Sequence, residues 1–204
     1  MDSSEHKRLR YLVPFFCALL ASPAFIVLHE LGHYAAGACL GLGGTFHYAG
    51  VNMAIPKEGL TRSADFIHAS AGPLVNVALA VVGLLWLYRL RRDRRDAPPM
   101  LKDWLATTLV LCAGRWTGLA PTRLSDEKHL SQILGLPVWV FPAVMGLFAF
   151  VTLYLMFRLH PRGHRLLPFL AAGAGGIIGL LLWLKLLGRL CFRNRAMRVF
   201  NRTA

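Results

Sequence analysis

Residues 29–33 read His29-Glu30-Leu31-Gly32-His33 and lie inside an apolar run. On a helix, positions i and i+4 share a face, so both imidazoles can reach one metal ion. Neutral imidazole is a good zinc ligand, and two on one turn leave positions for a third ligand and a water. Glu30, beside them, can take a proton from that water. The chemistry this arrangement suits is metal-assisted hydrolysis, with Zn2+ as the expected cofactor. The alternative is a chance pattern. Three ionisable groups in an apolar helix cost several kcal/mol unless paired or hydrated, which favours the metal.

The elements that must carry this motif read as membrane helices. The chain has 204 residues, of which 55% are hydrophobic and only 16% charged, against roughly 25% charged in an ordinary soluble domain. Apolar runs cover 11–40, 65–88, 101–120, 137–159 and 166–187. The expected fold is therefore all-α: a polytopic membrane bundle of about five spans. The net charge of +13 falls in clusters between and after these runs, where Lys and Arg meet lipid headgroups. No basic face with interleaved aromatics appears, so nucleic acid is not an expected partner; the lipid bilayer is.

Along the chain, residues 1–10 form a basic lead. Residues 11–135 form the core that holds the motif, 136–188 a C-terminal pair of helices, and 189–204 a basic tail. The first run is long. As one helix it would reach roughly 45 Å, more than a ~30 Å hydrocarbon core needs, and Ser22-Pro23 offers a break. After Gly41–Gly44, the segments Thr45-Phe46-His47-Tyr48 and Val51-Asn52-Met53-Ala54-Ile55 flank Ala49-Gly50, which suggests a short β-hairpin. Ala171 to Gly179 is glycine-rich, which suits close helix packing in lipid. Cys17, Cys39, Cys112 and Cys191 lie far apart and read as small apolar residues.

A catalytic zinc site needs a third protein ligand. Successive spans alternate in direction, so the end of the third span lies at the depth of His29 and His33. There stand Asp126, Glu127 and His129. The start of the second span, with Asp65, His68 and Asn76, comes to the same face.

With these residues in hand, the sequence resembles the site-2 protease family of intramembrane zinc metalloproteases. His29-Glu30-x-x-His33 matches the family's first motif. Ala71-Gly72-Pro73-Leu74-Val75-Asn76 is similar to its Gly-Pro-x-x-Asn element. Gly118-Leu119-Ala120-Pro121, separated from Asp126 by four residues, matches the spacing of its Asn-x-x-Pro-x4-Asp-Gly element. The resemblance implies that His29, His33 and Asp126 hold zinc and that Glu30 is general base, then acid. It implies that Asn76 positions the substrate or stabilises the oxyanion. Two departures stand out: Gly118 replaces the usual Asn, and Glu127 replaces the Gly after the aspartate.

The expected function is zinc-dependent hydrolysis of peptide bonds in membrane-embedded or membrane-tethered protein substrates, in a multi-pass protein of the cell membrane. Gly118 and Glu127 keep open a second reading, a catalytically inactive protease-like scaffold for membrane partners. A small metal transporter is a third. His47 and His68 read as interfacial polar residues, and Arg115 as a snorkelling side chain. His160, Arg162, His164 and Arg165 read as a headgroup-facing loop.

Overall fold

In a computed structural model of the chain, residues 3–48, 50–54, 59–112, 125–192 and 197–198 are described. Helices dominate. They are α1 (Ser3–Cys39), α2 (Arg62–Arg91), α3 (Leu101–Leu111), α4 (Asp126–Ile133), α5 (Val140–Leu159) and α6 (Leu166–Leu182). A π-helical turn at Trp183–Leu187 leads from α6 into α7 (Gly188–Phe192). Four stretches are long and apolar enough to cross a membrane: Tyr11–Cys39, Arg62–Arg91, Val140–Leu159 and Leu166–Cys191. Their outer faces leave large apolar side chains uncovered, among them Leu20, Leu147 and Phe150. A surface of that kind suits lipid. The third apolar run is helical over α3; residues 113–124, which include Arg115, Gly118 and Pro121, lie outside the described residues.

The first helix does not break at Ser22-Pro23. It runs through both Pro14 and Pro23, and the basic lead forms its first turns. Pro23 has no N–H for the Leu19 carbonyl, a gap that usually kinks a helix. Here that carbonyl faces α6: a Cβ on Gly179 would collide with it, and one on Gly175 would collide with the Phe15 carbonyl. The four-residue glycine spacing brings the backbones into direct contact, as small residues do between membrane helices. The pairing of Phe15 with Gly175 and of Leu19 with Gly179 makes α1 and α6 parallel.

The second helix crosses α1 just as closely: a Cβ on Gly32 would lie 2.8 Å from the Ala71 carbonyl oxygen. Gly83 of α2 packs on Leu109 and Ala106 of α3, and Arg91 meets Asp103, so these two helices are antiparallel. The Cys112 thiol reaches the Asn76 carbonyl at 3.5 Å. The end of α3 thus returns to the depth of the second helix's polar residues, as the alternation of spans requires.

After α1 the expected hairpin forms, from β1 (Gly44–His47) and β2 (Gly50–Met53), with Thr45 opposite Asn52 and Phe46 opposite Val51. Phe46 is buried and packs edge-on to Tyr34 of α1, which docks the hairpin on the residue next to His33. A third strand, β3 (Met197–Arg198), pairs with the other edge of β1, so part of the basic tail joins the sheet. The Trp183 indole donates to the Tyr48 carbonyl at 2.9 Å and ties α6 to the same hairpin.

Candidate metal centre

The last turns of α1 carry His29, Glu30 and His33, all buried, at 3%, 7% and 5% exposure. They can lie there because the facing residue of α2 is Gly72. A Cβ at that position would run into His33 Nε2 and come within 2.8 Å of His29 Cε1. Gly72 and Gly32 together let two imidazoles fit where two helices touch.

The third member comes from α4. Ser125 caps this helix, its hydroxyl accepting from the Lys128 N–H at 3.4 Å, which puts Asp126 in the first turn. A carboxylate is favoured there by the helix dipole. Gly135, at φ 71, ends the helix, and the Leu136 N–H returns to the Ser131 carbonyl at 2.8 Å. Two bonds fasten α4 to the start of α2. Arg62 Nε donates to the Ile133 carbonyl at 2.6 Å, and His129 Nε2 lies 2.9 Å from Asp65 Oδ1.

The result is a triangle of donor atoms. His29 Nε2 and Asp126 Oδ2 are 3.0 Å apart, His33 Nε2 and His29 Nε2 3.2 Å, and His33 Nε2 and Asp126 Oδ2 3.3 Å. Among the described residues this is the group of His, Cys, Asp or Glu side chains able to hold one metal ion. Zinc bonds of about 2.0–2.1 Å in a tetrahedron give ligand edges of roughly 3.3–3.4 Å, so the triangle needs to open by only a few tenths of an ångström. Two imidazoles and a carboxylate are also a donor set that catalytic zinc sites use, with the fourth position left for water. The residues present therefore fit zinc.

Burial opposes ionisation of Asp126, but the hydrogen bonds and charge that His29 and His33 supply when protonated outweigh it and hold the carboxyl well below the usual carboxylate range. It is a ready anionic ligand. The Asp126 side chain is also 36% exposed, against 4% and 6% for the two imidazoles, so the site opens on the α4 side.

Of the other residues singled out in the sequence, Asn76 is buried with its amide nitrogen 3.1 Å from His29 Nδ1. Glu127 follows Asp126 in the first turn of α4, and Asp126 is the one that converges with the histidines. His47 is exposed on the hairpin. His68 departs from the interfacial reading: it is buried, and its carbonyl accepts from His33 Nδ1 at 2.7 Å. Its position about two turns before Asn76, on the same face of α2, was the available signal. His160 and Arg91 depart more strongly. Both were expected among headgroups, and both are shut inside the protein. No family model, no curated protein and no solved structure matches this chain.

Proposed function

We propose that this chain is a zinc-dependent intramembrane endopeptidase that hydrolyses peptide bonds of membrane-embedded or membrane-tethered proteins, as its resemblance to the site-2 protease family implies. The observation that carries the reading is the convergence of His29 Nε2, His33 Nε2 and Asp126 Oδ2, within 3.0–3.3 Å of one another, among helices apolar enough to span a bilayer. Groups so costly to bury in lipid point to use. The reading places the protein in the cell membrane as a multi-pass protein, with a fifth pass if the third apolar run continues beyond α3.

Bound by the three donors, a zinc ion would polarise the scissile carbonyl and lower the pKa of a water toward 7. Glu30, buried beside His29, takes the proton of the attacking water and delivers it to the leaving amine nitrogen. The His68 carbonyl holds the His33 ring and keeps its proton on Nδ1, leaving Nε2 as a lone pair. The two buried imidazoles keep bulk water from one side, and the exposed flank of Asp126 leaves the other for substrate. A helical substrate has its carbonyls bonded internally, so it must unwind before attack. The sheet beside the end of α1, in which β1 lies between β2 and β3, offers the outer edge of β2 to an extended peptide.

The test is Glu30→Gln with a membrane-tethered substrate. The variant keeps its zinc, because both imidazoles and Asp126 remain, and it loses about 10²–10⁴-fold in cleavage rate because an amide cannot accept the proton. Cleavage at the wild-type rate would rule the mechanism out, and zinc loss would move Glu30 into the ligand set. An inactive scaffold predicts equal partner binding and no processing by either form.

A further inference from the structure

Both imidazoles of the site are held from behind by α2, through two different kinds of group. His33 Nδ1 lies 2.7 Å from the His68 carbonyl oxygen, which can only accept, so the ring proton sits on Nδ1 and Nε2 is free to ligate. His29 Nδ1 faces the Asn76 side chain, with the amide nitrogen 3.1 Å away. Asn76 is 1% exposed, and its Oδ1 has no hydrogen-bond partner among the described residues.

An amide carries a donor and an acceptor that exchange places by a half-turn about Cβ–Cγ, in nearly the same volume. With Nδ2 toward His29, the ring must accept at Nδ1 and carry its proton on Nε2, the atom that faces His33 and Asp126. That proton blocks ligation. With Oδ1 toward His29, the ring proton sits on Nδ1, the Nε2 lone pair faces the other donors, and the buried oxygen gains a partner. A metal-bound His29 therefore requires the second orientation.

Resting on the metal-centre reading above, we infer that Asn76 is a positioning residue whose side-chain oxygen accepts from His29 Nδ1–H and so selects the tautomer that binds metal. The resemblance had implied a role toward substrate or oxyanion. At 1% exposure and in contact with a ligand ring, Asn76 acts through His29. The second helix thus sets both tautomers: that of His33 by a main-chain oxygen, that of His29 by a side-chain oxygen on the same face.

The experiment uses the full chain in detergent micelles. Zinc affinity is measured by chelator competition for the wild type, Asn76→Asp and Asn76→Leu. Aspartate keeps the acceptor and loses the donor; leucine keeps the bulk and has neither. Asn76→Asp is expected to bind zinc within about threefold of wild type or more tightly, and Asn76→Leu about 10–100-fold more weakly. Equal affinity of wild type and Asn76→Leu overturns the inference and leaves the metal centre standing, as does an Asn76→Asp defect as large as that of leucine. A wild type that takes up no zinc overturns both. If Asn76→Leu does not fold, 15N spectra of the zinc-loaded wild type with labelled histidine decide. A proton on His29 Nδ1 is expected, and zinc on Nδ1 with the proton on Nε2 overturns the inference.

Discussion

The two ends of α2 both bury polar groups, in different ways. Toward its start, His68 and Asn76 stand behind His29 and His33, and three metal-ligand atoms from α1 and α4 meet at one point. Toward its end, Arg91 is fully enclosed. Its Nη2 donates to the Arg95 and Ala97 carbonyls at 2.7 and 2.8 Å, and its Nη1 stands 4.0 Å from the buried Asp103 carboxylate. Asp103 accepts from the Met100 N–H at 2.7 Å and pairs with Arg94 at 3.5 Å. His160 closes the cluster, its Nδ1 on the Met156 carbonyl at 3.1 Å and its Nε2 3.3 Å from the Thr107 hydroxyl.

Donors face acceptors and cation faces anion at this second cluster, which joins α2, α3 and α5. At the first cluster two imidazole nitrogens and a carboxylate oxygen, all of them metal-ligand atoms, converge within 3.0–3.3 Å, and one flank is open. A buried polar cluster therefore suggests a ligand when metal-ligand atoms converge on one point beside an open flank, and a structural tie when a cation and an anion are enclosed between helices.

Four experiments can break or sharpen this contrast. The largest effect belongs to the open cluster. His33→Ala or Asp126→Ala should take bound zinc from one equivalent to none and abolish cleavage, while helix content in micelles is kept; metal analysis with circular dichroism checks it. Removing a partner from the closed cluster should do the reverse. Asp103→Ala leaves the Arg91 charge buried, and should cost about 3–5 kcal/mol in unfolding by denaturing detergent, with zinc affinity of the folded fraction unchanged. A fall in zinc affinity there would mean that the two clusters are coupled.

Acid should also act on the closed cluster. Burial, with the charges of Arg91 and Arg165 adding to it, pushes the His160 pKa down to about 4 against the pull of the Met156 carbonyl. The ordinary value is about 6.5, so the unfolded chain takes up a proton at a pH where the folded one does not. Stability contributed by neutral His160 is present above pH ~6.5 and is lost as pH falls toward 4, about 3 kcal/mol in all. Unfolding titrations on His33→Ala, which remove any contribution from metal release, should show this slope, and His160→Gln should flatten it. The smallest effect concerns the partly buried His129–Asp65 pair that fastens α4. Asp65→Asn should cost less than about 1 kcal/mol and loosen zinc only a few-fold. A larger loss would make this pair part of the metal centre itself.

What could be read from residue order follows from local rules. The i, i+4 spacing puts His29 and His33 on one face of any helix, whatever surrounds it. The length of the apolar runs marks four of the stretches that can cross a bilayer, and Ala49-Gly50 between two short polar-apolar runs marks the hairpin. The alternation of spans brought Asp126 to the right end of the molecule. Other features depend on which helices touch. Pro23 suggested a break, but α1 runs through it, and Gly179 of α6 lies against the Leu19 carbonyl that Pro23 leaves without its helical N–H. Hydropathy assigned Arg91 and His160 to headgroups, since a window average cannot tell that Asp103 and Thr107 wait on a neighbouring helix. That His68 and Asn76 support one imidazole each was decided by the close crossing at Gly32 and Gly72, and that Asp126 turns its carboxylate onto both was decided by the bonds of Arg62 and His129 that fasten α4 to α2. A metal-ligand set is a distance relation between side chains of separate elements, and sequence spacing reports such distances only within a single helix.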